Sequence, residues 1–177
     1  MSSVVNSTFY QAIKFNHNYV ERTKVQLIDT INEIPMFNSF TESEKKMFSK
    51  LEHSLLGFKK DDVIIREGDT FTSLYLLIKG TVLITKAELN IPIAKLSQGA
   101  LFGEMSFFTK KPRHSNVIAK ENVLVLKLDK SFFDKVDFAI KDKIKDYLIE
   151  LLINRLDSVN ESLSKISKFA RNLTLNQ

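Results

Sequence analysis

From Leu55 onward the hydrophobic pattern breaks into short runs. They are Leu55–Phe58, Val63–Ile65, Ser73–Lys79, Thr81–Thr85, Ile91–Leu96, Asn116–Ala119 and Val123–Leu128, rich in Val, Ile, Leu and Thr. Asp61-Asp62, Gly68-Asp69, Lys79-Gly80, Glu88–Asn90 and Gln98-Gly99 punctuate them. Apart from the stretch between Leu96 and Asn116, the gaps are too short for the crossover helices of a parallel sheet. Strands of this length and spacing predict an antiparallel sandwich or barrel.

Helical signals lie on both sides of this block. A broken apolar stripe through Phe9, Ile13, Val20, Leu27 and Ile28 predicts an N-terminal helix over about Thr8 to Thr30, weakened at Asn16-His17-Asn18. Ile34-Pro35-Met36-Phe37 reads as an extended link. Thr41 followed by Glu44 is a capping box, opening a helix to about Leu51 or Glu52 that buries Met47, Phe48 and Leu51. Asp129 caps a short helix through Phe132, Phe133 and Val136.

A long helix then runs from about Ala139 to near Leu173. Ile149, Leu152, Leu156, Val159, Leu163, Ile166, Ala170 and Leu173 follow one another at alternating steps of three and four, an unbroken heptad seam. A second stripe, Ile140, Ile144, Tyr147, Leu148 and Leu151, faces another way. One stripe suits the β-body. The other predicts a parallel homodimer, because monomers avoid long exposed apolar stripes. Folding back onto the N-terminal helix is the alternative cover.

Composition removes several function classes. A chain of 177 residues with 44% hydrophobic content holds one domain with a core and added helix. No apolar run is long enough to span a membrane. The start, MSSVVNSTFYQ, does not read as a signal peptide, and the absence of cysteine suits a reducing, cytoplasmic location. The net charge of +5 is spread without a basic block, so a nucleic-acid surface has no support beyond mild basicity. His17, His53 and His114 lack metal-ligand spacing, and no P-loop, Rossmann or nucleophile-elbow pattern occurs. The expectation is a non-enzyme without a metal.

Leu101–Ala119, LFGEMSFFTKKPRHSNVIA, carries the chemistry. Gly103 lets backbone approach a ligand, and a short helix after it would aim unpaired N–H groups at an anion. Arg113 can grip a phosphate with two charge-assisted bonds. Glu104 is no phosphate ligand, but sugar hydroxyls would supply the donors it needs. On residue types alone, a hairpin loop that happens to carry Gly, Glu and Arg remains an equal reading.

The stretch from about Ile34 to Leu151 resembles the cyclic nucleotide-binding domain family. Ile34-Pro35-Met36-Phe37 and the capped helix are similar to its opening motif. Ile64-Ile65-Arg66-Glu67-Gly68-Asp69 resembles its first turn, and Leu74 through Val82, LYLLIKGTV, its central hairpin. Leu96-Ser97-Gln98-Gly99, Phe102-Gly103-Glu104 and Pro112-Arg113 resemble its phosphate-binding cassette, in order and at the usual distance. The resemblance implies an α+β fold: an antiparallel, jelly-roll-like β-roll of about eight strands with N-terminal helices and a long C-terminal helix. The corresponding division is 1–33 as helical extension, 34–138 as β-roll and 139–177 as coiled-coil helix.

By position, the resemblance implies that Phe102 and Gly103 bring backbone to the cyclic phosphate, Glu104 accepts from the ribose 2′-hydroxyl and Arg113 pairs with the phosphate. Backbone N–H groups near Met105, Ser106 and Ser115 would complete the nest. Ile84, Ile93 and Leu96 would line sugar and base, and Arg155, Ser158 and Asn160 would be candidates to cap the base. His114 and Ser115 depart from the family pattern. His114 either donates to the phosphate or faces solvent, and the missing Thr at that place leans toward cAMP over cGMP. The chain stops too soon after its long helix for the winged helix of the family's transcription factors, so sequence-specific DNA binding is not expected. The implied function is a cyclic nucleotide sensor that signals through its helices to a partner. The alternative is an interaction module with an empty pocket or another ligand, such as a cyclic dinucleotide.

Overall fold

The computed structural model describes residues 30–49, 54–89 and 91–175. The expected N-terminal helix therefore lies outside the described residues, apart from its last position, Thr30, which is helical.

After a 3-10 turn at Pro35–Phe37 come α1 (Glu42–Ser49) and eight strands. These are β1 (Leu55–Phe58), β2 (Val63–Ile65), β3 (Leu74–Lys79), β4 (Thr81–Thr85), β5 (Pro92–Ser97), β6 (Leu101–Phe102), β7 (Asn116–Ala119) and β8 (Val123–Leu128). A short helix, α2 (Glu104–Thr109), sits between β6 and β7, and α3 (Lys130–Lys135) and α4 (Phe138–Leu175) follow β8. The strands form two antiparallel four-stranded sheets, ordered β1-β8-β3-β6 and β2-β7-β4-β5. This is the expected β-roll. The eighth strand is the two-residue β6, too short to show a period in sequence.

β3 explains why the core has two parts. Its residues Leu74 through Ile78 are all buried. Alternation sends Leu74, Leu76 and Ile78 into a cluster with Ile31, Met36, Phe37, Phe48, Ile140, Ile144 and Leu148. Tyr75 and Leu77 point the other way, into the roll, with Ile65, Val82, Phe102, Val117 and Val125. One strand thus bonds the helical layer to the inside of the roll. In the first cluster Phe37, Phe40 and Phe48 pack edge to face, with centroids 4.9 to 5.5 Å apart.

The capping box forms as expected. Thr41 N–H donates to Glu44 Oε2 at 2.6 Å, and Glu44 N–H points at Thr41 Oγ1 at 3.4 Å. Asp129 likewise caps α3, accepting from Phe132 N–H at 3.2 Å. Glu44 does a second job: Lys143 Nζ of α4 donates to both of its oxygens, at 2.9 and 2.7 Å, and lies over the Phe40 ring. This ties the start of α4 to α1.

Lys143, first, and the Thr41 cap hold the Glu44 carboxyl below the usual glutamate value. A lowered folded-state value stabilises the fold above the unfolded value, near pH 4.3, and the contribution is lost as pH falls through the lowered one. The urea midpoint of Glu44→Gln should therefore lie below that of the unaltered chain at pH 7. The gap should close on acidification below about pH 4; a pH-independent gap would mean that the carboxylate charge contributes nothing.

Candidate functional site

The cassette starts where β6 ends. Gly103 adopts φ +83, and a Cβ there would sit 2.7 Å from Arg113 Nη1 and 2.9 Å from the Ser73 carbonyl oxygen. Glycine is therefore required on two grounds, backbone hand and room for the guanidinium. α2 follows at once and is closed by Lys110 in the left-handed region, its N–H donating to Ser106 O at 3.0 Å.

The turn at Gly68-Asp69 holds Arg113 in place through backbone. Gly68 N–H donates to Arg113 O at 2.9 Å, and Arg113 N–H donates to Asp69 O at 2.7 Å. The arginine side chain then runs inward and is only 5% exposed. Nη1 donates to Gly103 O at 2.7 Å and Nη2 to Ser73 O at 2.6 Å. These use two of its five N–H donors. Among the described residues no carboxylate comes within ion-pair distance of it. Burial lowers its pKa below the ordinary arginine value, against the opposing pull of Tyr75, Asp69 and Glu104. A buried cation held only by neutral oxygens, with donors to spare, is an arrangement that an anion completes.

Glu104 is 7% exposed at the first position of α2. Its carboxylate is met by Arg155 from α4, whose Nη1 pairs with Oε1 while Nη2 donates to Leu101 O at 2.7 Å. Arg155 is thus engaged with the cassette and not free at the position of a base cap. Ser158 lines a cleft of about 420 Å³ with Pro35, Tyr147, Glu150, Leu151, Asn154 and Arg155, whereas Asn160 is exposed and takes no part in it.

The other expected residues divide. Phe102 and Ser106 are buried, Ser115 is half-buried, and Met105 and His114 are exposed. Ile84 and Leu96 pack against the inner cluster. Ile93 does not: it is the extra residue of a bulge, where Ile84 pairs with Ala94 but Thr85 pairs with Pro92, and it is 49% exposed. Sequence reasoning missed Ser73 and Tyr75. A main-chain carbonyl leaves no mark in residue type. Tyr75, the lone aromatic in LYLLIK, was the available signal.

Residues 55–137 match the family model described as Cyclic nucleotide-binding domain. That part of the chain belongs to the cyclic nucleotide-binding domain family. Among curated relatives, a cAMP-dependent protein kinase regulatory subunit of Pyricularia oryzae is 31% identical over 60% of this chain and 27% of its own length. A cGMP-dependent protein kinase of Plasmodium berghei is 31% identical over 67% of this chain and 13% of its own length. The chain thus spans about a quarter of the first relative and less of the second. Among solved structures, Sp-2Cl-cAMPS bound to PKAR CBD2 superposes with TM-score 0.61 at 22% identity, covering 80% of this chain and 92% of that one. The Thermus thermophilus catabolite activator protein gives 0.61 at 25%, covering 75% and 63%. A regulatory subunit of a cAMP-independent protein kinase A from Trypanosoma brucei gives 0.59 at 24%, covering 75% and 46%.

Gly103→Ala tests the glycine's two roles together. It should lower the unfolding free energy from urea titration, and the midpoint with it, by about 1–2 kcal/mol for the left-handed backbone alone, with more from displacing Arg113. An unchanged midpoint would show that neither constraint acts.

Proposed function

We propose that the chain is a cyclic nucleotide sensor, with cAMP the preferred ligand over cGMP, and that it regulates rather than catalyses. The observation that carries this is Arg113, a buried guanidinium with no acid partner among the described residues and unused donors. The cyclic phosphate supplies the missing charge. Glu104 receives the ribose 2′-hydroxyl, and Ile84 and Leu96 give the sugar and base apolar walls. Because Arg155 already occupies Glu104, a ribose arriving there changes what holds α4, and a ligand shifts an equilibrium only through such a difference between states. Among the described residues no three His, Asp or Glu are grouped to hold a metal, and no helix is long and apolar enough to cross a membrane. A cytoplasmic location is part of the proposal.

Calorimetry with cAMP, cGMP and a cyclic dinucleotide is the direct experiment. Binding of cAMP well below millimolar, more favourable than about −4 kcal/mol, is expected. Arg113→Ala should cost about 2–5 kcal/mol of it, since the phosphate would be left unpaired out of water. Tighter binding of the dinucleotide, or none of the three, would turn the reading to the interaction module, a possibility kept open by the Trypanosoma brucei relative whose name calls it cAMP-independent.

The second part of the proposal is self-association through residues 139–177. Past Leu152 the seam has little cover among the described residues: Leu156, Val159, Leu163 and Ile166 are each more than half exposed. The flanking positions Asn160, Ser162 and Ser167 are uncharged, so two copies meet without like-charge repulsion. Leu163→Glu should convert a dimer to a monomer by light scattering at micromolar concentration. The same mass for both proteins would remove the seam from the interface.

A further inference from the structure

Arg113 has a third neighbour besides the two carbonyl oxygens. Its Cζ lies 5.9 Å from the centroid of the Tyr75 ring, within the range in which a ring face attracts a cation. Tyr75 is itself fixed: it is 8% exposed and stacks on Phe102 at 5.4 Å between centroids, with 13° between planes. Phe102 belongs to β6, next in sequence to Gly103, and β6 pairs with β3 through Tyr75 and Phe102. Ring, ring and glycine therefore form one rigid floor beneath the guanidinium. On the inner face of β3 the other residue is aliphatic, Leu77.

We propose that Tyr75 is a positioning residue for the anion site: its ring face takes the place of an acid partner and holds the Arg113 guanidinium still before ligand arrives. A carboxylate in that place would order the arginine but cancel its charge toward a phosphate. A ring orders it and leaves the charge intact. Burial raises the Tyr75 hydroxyl above its usual value, so the ring stays neutral throughout the working range. The Gly103 and Ser73 carbonyls accept one bond each from the two terminal nitrogens, and the Tyr75 ring lies 5.9 Å from Cζ. The inference rests on the cyclic nucleotide reading for its effect on affinity, but not for its effect on the arginine itself.

The test follows both quantities. In the ligand-free chain, hindered rotation about the Arg113 Nε–Cζ bond should give separate NMR signals for the two terminal nitrogens. Tyr75→Phe should keep them separate and leave cAMP affinity within about twofold. Tyr75→Leu should merge them and weaken cAMP binding about three- to tenfold, the cost of ordering one long side chain on binding. Trifluorophenylalanine at position 75 keeps the shape of the ring while removing its negative face, and it should merge the signals too. That variant settles the matter if the leucine variant fails to fold. Separate signals in the fluorinated variant, or unchanged affinity in a folded Tyr75→Leu, would overturn the proposal. Failure of the unaltered chain to bind any cyclic nucleotide would remove the function proposed above, while the NMR comparison would still decide what holds Arg113.

Discussion

A cation out of water must be held by something, and the way Arg113 is held shapes much of this chain. Its guanidinium is met by two main-chain oxygens and a ring face. Oxygens of the backbone cannot be supplied by choosing a side chain; they have to be brought there by the fold. Ser73 O arrives at the start of β3, and Gly103 O at the end of β6, which pairs with that same strand. The arginine's own backbone is pinned to the Gly68-Asp69 turn. The stretch from Gly68 to Ser73 and the end of β6 thus converge on one side chain. The left-handed glycine at 103 is what lets them do so without collision.

Around that point the structure is layered by β3. One side of the strand packs on helices and the other on the opposite sheet. The long helix α4 is fastened at two charged points, Lys143 to Glu44 of α1 and Arg155 to Glu104 of α2. The first sits on the capping box of α1 and the second on the first residue of α2. Between them Ile144, Leu148 and Leu151 supply apolar cover. Removing water from these pairs costs free energy, so their net contribution depends on the hydrogen bonds that accompany them. Arg155 has one to Leu101 O, and Glu44 has those of its own cap.

Much of this was legible in the sequence where a residue type has few uses. Thr41 with Glu44, Asp129 ahead of Phe132, and the punctuated short strands each led to the element found. Of the cassette residues, Gly103 and Arg113 meet through the Gly103 carbonyl, while Glu104 is paired with Arg155. What could not be read depends on partners that residue letters do not record. The Arg155–Glu104 pair joins positions 51 apart, and only the path of α4 across α2 brings them together. The carbonyls on Arg113 have no side-chain signature. Ile93 was placed with Ile84 and Leu96 by the family resemblance, but it stands three residues from Leu96, so the alternation of β5 turns it to the other face, at a bulge. β6 escaped because two residues carry no periodicity.

Mechanical consequences follow from the length of α4. It is a 38-residue rod that, among the described residues, is gripped by the body over its first half. Beyond Arg155 about 20 residues extend, roughly 30 Å at the usual rise per residue. A tilt of about 5° at that grip carries the far tip through roughly 2.5 Å over this span. Any sub-ångström adjustment that tilted α4 beside Glu104 would thereby be magnified with distance, a gearing between α2 and α4 set by lever length alone.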